Sequence, residues 1–239
     1  MSIIRYTASA DTTITNAYEA NLVTRGTGSN MGYADSLEVF SIYGQESGSI
    51  GQSQELSRIL IQFPVATMAA NRSAGTLPAS GSVSFRLKMA NAEHPFTLPQ
   101  DFNLVVAPVS SSWNEGAGLD MDEYKDLGQA NWGMATRSTA WTNQGGDYLT
   151  ASNYNVHFAE GYEDISLDVS EIVEQWLTDG NEFTNYGFGI HLTASQEAYS
   201  AYAGPNGTIL NAEGATQSYY TKKFFARSTE FFYKRPAIE

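Results

Sequence analysis

The chain has no cysteine among its 239 residues. That excludes a disulfide framework, a thiolate metal site and a thiol nucleophile. Basic residues are scarce as well, with 13 Lys and Arg against 26 Asp and Glu and a formal net charge of -13. A field of that sign repels nucleic acid and anionic membranes, and the few cations are scattered apart from Lys222-Lys223 and Lys234-Arg235. Neither nucleic acid nor membrane is therefore expected as a partner. No stretch approaches the roughly 20 apolar residues of a membrane span. Met1-Ser2-Ile3-Ile4-Arg5-Tyr6 lacks the basic head and apolar run of a signal peptide, so the expectation is synthesis in the cytoplasm and departure only by lysis or a similar route. Catalytic signatures are missing too. There is no Gly-x-Ser-x-Gly elbow and no Gly-rich loop leading to Lys-Ser/Thr. His94, His157 and His191 share no metal-ligand spacing, and His191 reads as a structural residue on a strand. The expectation is a protein without enzymatic activity.

What is present is β chemistry. Tyr (14), Phe (12) and Gly (21) are abundant, a mixture suited to many strands joined by turns. Ser36–Tyr43, Arg58–Phe63, Ser82–Ala90 and Phe102–Val109 read as strands by alternation or by continuous apolar character. Ile3–Tyr6, Thr12–Ile14, Ala198–Ala203, Thr208–Leu210, Lys223–Ala226 and Phe231–Lys234 are weaker candidates. Gly204-Pro205-Asn206-Gly207 forms a strong turn signal, and 44–54 reads as a Gly- and Ser-rich loop. Val65–Ala70 suggests one helical turn after Pro64.

The chain is organised around Ile165–Leu192. There the period changes from strand to helix at Ile172, Val173, Trp176 and Leu177, and returns to strand at Phe188, Ile190 and Leu192. Asp168 is expected to cap the helix, with Glu171 completing a capping box and Gly180 terminating it. Trp176 is expected to plug one end of the core. The fold expected is an all-β antiparallel sandwich, jelly-roll-like, with one short helix around 169–179, long loops and a single domain over 1–239.

From Ser110 to Phe158 the pattern dissolves into Gly, Asn, Asp, Ser and Thr, punctuated by Trp113, Trp132, Trp141 and Tyr148. These four aromatics either cover the sandwich or form a stacking platform for sugar rings; covering is the favoured reading. Asp120, Asp122, Glu123 and Asp126 form the densest carboxylate cluster. A hard cation such as calcium takes several such oxygens, but the spacing lacks the glycine and distal glutamate of an EF-hand loop, and a solvated acidic loop is the favoured reading. Asp164 and Asp168 are a weaker pair. Arg227 and Glu230 are expected to form a structural ion pair.

The order of segments resembles the DNRLRE-type β-sandwich family, related to alginate-lyase-type carbohydrate-binding modules and archaeal disaggregatase repeats. The pieces are Ala10-Asp11, Asn30-Met31-Gly32 before Leu37-Glu38-Val39, Arg58-Ile59-Leu60-Ile61-Gln62-Phe63 and Trp113-Asn114-Glu115-Gly116. Asp168-Val169-Ser170 leading to Trp176, Asn185-Tyr186-Gly187-Phe188, Phe225–Glu230 and Arg235–Glu239 follow. Two departures stand out: two extra residues separate Arg227 from Glu230, and Phe231-Phe232-Tyr233 lengthens the next segment. The chain stops where the family's last strand should run, so further sequence is expected after Glu239. The acidic, cysteine-free version resembles those of tailed phages, marine phages in particular. The resemblance implies a virion component, such as a capsid decoration or a tail protein, acting through contacts with other virion proteins. The alternative it implies is a module that binds host polysaccharide through the Trp/Tyr-rich loop.

Overall fold

The computed structural model describes residues 3–44, 54–93, 98–178, 184–204, 207–216 and 219–239. Gly180, His94, Pro205-Asn206 and nearly all of the loop expected at 44–54 lie outside them. In chain order the elements are β1 (Tyr6–Thr7), β2 (Ala10–Thr15), β3 (Ser36–Tyr43), β4 (Gln54–Gln62), α1 (Val65–Ser73), β5 (Arg86–Met89) and β6 (Phe102–Pro108). They continue with β7 (Tyr154–Phe158), β8 (Ile165–Asp168), α2 (Ser170–Leu177), β9 (Phe188–Leu192), β10 (Tyr219–Phe225) and β11 (Ala237–Ile238).

These strands make an all-β antiparallel sandwich. One sheet has four strands in the order β1-β11-β5-β8. The other has seven, following β10-β3-β4-β9-β6-β7, with β2 also paired to β4. Inward side chains alternate along each strand as a half-buried sheet requires. Leu37 and Val39 of β3, Ile59 and Ile61 of β4, Leu104 and Val106 of β6 and Leu87 and Met89 of β5 meet in the inter-sheet core. Every long strand expected from the sequence is found, although β5 is shorter than Ser82–Ala90.

β7 was hidden in the loop-like stretch, yet Tyr154, Val156 and Phe158 alternate against the core. Phe231–Lys234 is no strand but a 3-10 turn at Phe232–Lys234. Ala198–Ala203 contributes only isolated bridges, Ser200 with Asn211 and Ala198 with Ala215, and Thr208–Leu210 is not a strand. The single helix also needs correction, because α1 is a full second helix packed beside α2. Arg72 of α1 donates to both carboxylate oxygens of Glu174 in α2, at 2.5 and 2.8 Å.

The two helices close one end of the core together. Trp176 is buried there against Phe188, with ring centroids 4.8 Å apart. The capping box does not form: the N-cap is Val169, with no side-chain cap bond. Asp168 instead accepts the Ser170 backbone N–H at 3.0 Å, and the Ser170 hydroxyl accepts the Phe85 N–H at 2.8 Å, tying the helix start to the residue that leads into β5.

The Trp176 indole N–H is buried without a partner among the described residues. Trp176→Ala is expected to lower stability by about 3–5 kcal/mol, the usual cost of emptying a large aromatic site. Trp176→Phe should cost markedly less, because it also removes the orphaned donor. Urea unfolding followed by far-ultraviolet circular dichroism reads both.

Candidate functional site

β4 is buried on both faces. Ile59 and Ile61 point into the sandwich, while Leu56, Arg58 and Leu60 point outward into a second core. That second core is where the tryptophans go. Trp113, Trp132 and Trp141 are 6, 0 and 5% exposed, packed with Ile14, Leu56, Leu60 and Val109. Each indole N–H is spent inside the chain, on Tyr186 O (2.8 Å), Gly207 O (2.6 Å) and Asn131 O (2.9 Å) respectively. The three indoles therefore cover the outer face of the sheet, the favoured of the two readings, and do not stand open as a platform for a sugar ring.

Tyr148, half-buried, completes a polar cluster in this layer. Arg58 donates from Nε and Nη2 to the two Glu197 oxygens at 2.9 and 2.8 Å, and from Nη1 to Gly145 O at 3.1 Å. Its guanidinium lies 5.3 Å from the Trp132 ring centre and 5.8 Å from that of Tyr148. The Tyr148 hydroxyl donates to the same Gly145 oxygen at 2.6 Å, and burial pushes its pKa up to about 12. Gly145 has a φ of +84°, and a Cβ there would lie 2.9 Å from both Arg58 Nη1 and the Trp132 ring. His191 packs on Tyr148 at 5.2 Å between ring centres, with Nδ1 2.7 Å from Leu192 O. Burial and the Arg58 cation hold its pKa below the ordinary histidine value. This cluster seals a layer.

The carboxylates of the acidic loop turn back on their own backbone. Asp120 accepts the N–H groups of Asp122 (3.1 Å), Glu123 (2.8 Å) and Lys125. Burial opposes ionisation of Asp120, but those donors hold its pKa below the carboxylate range. Asp126 accepts from Leu119 and Asp120, and Glu123 pairs with Lys125. Asp164 accepts the Asn91 N–H and Asp168 that of Ser170. Among the described residues no three His, Asp or Glu side chains converge as metal ligands, and of Asp120, Asp122, Glu123 and Asp126 the first and last cap the backbone of their own loop.

Arg227 does not pair with Glu230, which is exposed. Its partner is Glu115, reached through Nε at 2.7 Å and through Nη2. The two extra residues after Arg227 carry Glu230 away from the guanidinium, which lies instead over the turn after Trp113. Asp11 is buried beside this pair. It accepts the Arg227 backbone N–H at 2.7 Å through Oδ2, while its Oδ1 has no partner among the described residues. Burial, opposed by the Arg227 N–H and aided by Glu115, raises its pKa from 3.8 to about 7. Asn30 joins the same knot, donating to Glu115 O and Ala130 O and accepting the Gly118 N–H.

The open concavity lies elsewhere. The outward faces of β3 and β10 pair Ile42 with Tyr219, Phe40 with Thr221 and Glu38 with Lys223. Tyr18, Glu55 and Tyr124 rise beside these rungs and enclose a groove of about 360 Å³. Tyr18 is held by its backbone N–H on Glu55 Oε2 at 2.9 Å and by the Arg25 guanidinium, 4.1 Å from its ring centre. Tyr124 has a left-handed φ of +56°, uncommon for a bulky residue. Its Cβ lies where a Cβ on Gly26 would stand, so Gly26 makes room for it. Burial first, then the carboxylates of Glu38, Glu55, Asp120 and Asp122, push the Tyr124 phenol far above its ordinary pKa. Glu38 accepts the Thr221 hydroxyl at 3.2 Å and lies 3.9 Å from Lys223 Nζ. Sequence reading missed this groove, because it is assembled across strands from five separate segments. The one local signal was the apolar outward face of β3 at Phe40 and Ile42.

Comparison with protein-family models and with curated proteins gives no match.

Two outcomes follow from the buried charges. Asp11 holds its proton more tightly folded than unfolded, so its contribution to stability is complete below about pH 4 and is lost as pH rises toward 7. Asp11→Asn should therefore melt progressively higher than wild type as pH goes from 4 to 8, and the difference should level off above that; thermal scans across pH check it. Glu197→Ala should cost about 3–5 kcal/mol by stranding the Arg58 charge, and Arg58→Met with Glu197→Leu should cost less than that single change. Chemical denaturation of the two variants compares them.

Proposed function

We propose that this chain is a non-enzymatic structural protein of a tailed-phage virion, working through protein–protein contacts. The observation that carries the contact role is an aromatic knuckle at the end of the chain. Phe231, Phe232 and Tyr233 are 51, 54 and 85% exposed, on a surface whose formal charge is otherwise strongly negative. Contiguous exposed aromatics of this kind mark interaction surfaces, and aromatic residues dominate binding hot spots.

The knuckle is also rigid. Arg235 donates from Nε and Nη2 to Thr229 O at 3.0 and 2.9 Å and lies 5.5 Å from the Phe232 ring centre. Lys234 lies 4.5 and 5.5 Å from the ring centres of Phe225 and Phe231. Rings fixed in advance lose little entropy on docking. It is built from Phe231-Phe232-Tyr233, the segment that departs from the DNRLRE-like pattern. Arg58, Asp11 and Lys222 are buried and hydrogen-bonded within the fold, Lys222 donating to Asn91 Oδ1 at 2.7 Å and to the carbonyls of Gly161 and Glu163 at 2.9 and 2.7 Å, which supports a structural reading over a catalytic one. The virion assignment draws on the order of the motifs and the acidic, cysteine-free composition.

Mass spectrometry of purified particles of the phage carrying the gene should find the chain as a stoichiometric component; its absence from particles would overturn the virion reading. Phe232→Ser with Tyr233→Ser should change stability by no more than about 1 kcal/mol, since both are surface positions. The same pair should strongly reduce incorporation of the protein into particles.

A further inference from the structure

We propose that the groove over β3 and β10 binds the guanidinium or ammonium groups of a basic segment on a partner protein. The inference deepens the protein–protein role and rests on it only in taking the cation to be protein-borne. It is lined by Tyr18, Tyr124 and Tyr219, by Phe40 and Ile42 of β3, and by Glu38 and Glu55, the last paired in register with Ile42. Aromatic faces attract cations through the ring quadrupole, most strongly where water is partly excluded. Two carboxylates beside those faces supply the counter-charge and the acceptors that a guanidinium fork requires. A groove of about 360 Å³ is at the small end of ligand sites, a size suited to side chains rather than a folded domain.

The chain already uses this chemistry at the same place. Arg25 stacks on Tyr18 with its guanidinium carbon 4.1 Å from the ring centre, and donates to Asn16 O and Gln54 O behind it. Lys223 reaches Glu38 from within the groove at 3.9 Å, half-buried and without the short contact of a tight pair. An incoming cation would compete with Lys223 for Glu38. Charge complementarity therefore selects the occupant: the chain is acidic overall, and Asp120 and Asp122 lie close enough to raise the Tyr124 pKa. An anionic glycan would be repelled here.

The test is calorimetric titration of the full chain with capped tetra-arginine and tetra-lysine peptides at low and high salt, with cellohexaose as a separate arm. Both peptides should bind, arginine more tightly. Glu38→Gln with Glu55→Gln should weaken binding about tenfold or more, while Glu160→Gln with Glu213→Gln, which removes as much charge from exposed sites elsewhere, should leave it within about twofold. Lys223→Met should tighten it, because it frees Glu38 and removes a like charge. Tyr124→Phe should bind like wild type and Tyr124→Ala about tenfold more weakly; if Tyr124→Ala does not fold, the Glu38 and Glu55 pair decides. Equal losses in the groove and control pairs, weaker binding by Lys223→Met, or cellohexaose binding that depends on Tyr124 would each overturn the proposal. Because the titration needs no particle, peptide binding and presence in virions can fail independently.

Discussion

Arg58 sits in the middle of β4 with its guanidinium facing away from the inter-sheet core, yet it is buried and fully paired with Glu197. A charge in that position has one tolerable arrangement. It must keep its carboxylate, its carbonyl and its aromatic lids, since an unpaired buried ion is strongly destabilising. The lids and the carbonyl come from the 132–148 stretch, and Glu197 from the segment after β9. The ion pair therefore obliges two long irregular segments to lie down over the outer face of the seven-stranded sheet. A sheet that would ordinarily show one face to water instead has an interior on both sides.

A second knot, at the other end of the same layer, explains why distant motifs matter together. Asp11 belongs to β2, Asn30 to the loop before β3, Glu115 to the turn after Trp113 and Arg227 to the segment after β10, and all four meet through hydrogen bonds. Each is short and polar in sequence and looks unremarkable alone. Joined, they pin the outer layer, the start of the sheet and the last turn of the chain to one another. The motifs around Asp11, Asn30, Glu115 and Arg227 thus wire the outer layer together.

This layer also marks how far sequence could be read. β3 runs from Ser36 to Tyr43 as its alternation implies, and β4, β6 and the strand–helix–strand around Trp176 follow from apolar periodicity. β7 escaped because its short alternation of Tyr154, Val156 and Phe158 with Asn155 and His157 closes a long run of Gly, Asn, Asp, Ser and Thr that carries no strand period. Arg227 was assigned the wrong carboxylate because proximity in sequence stood in for proximity in space. Asp120 and Asp126 looked like metal ligands because composition cannot tell a carboxylate aimed at a cation from one capping its own backbone. The groove over β3 and β10 was illegible for a related reason: its rungs are cross-strand pairs, and register is not written in either strand alone.

The aromatic residues divide by chemistry in a way that localises any contact surface. The four tryptophans are all inside, the indole N–H groups of Trp113, Trp132 and Trp141 holding backbone carbonyls and Trp176 closing the inter-sheet core. Among the described residues six aromatics are more than half exposed; Tyr219, Phe231, Phe232 and Tyr233 belong to β10 and the turn that follows it, while Tyr33 and Tyr162 lie elsewhere. Lys223 lines both the groove beneath Tyr219 and the hollow beside Phe231. One residue of β10 thus separates an acid-lined aromatic groove from an aromatic knuckle flanked by Lys234 and Arg235. A partner spanning both would meet opposite charges within one strand's length, which fixes its orientation more sharply than apolar contact alone.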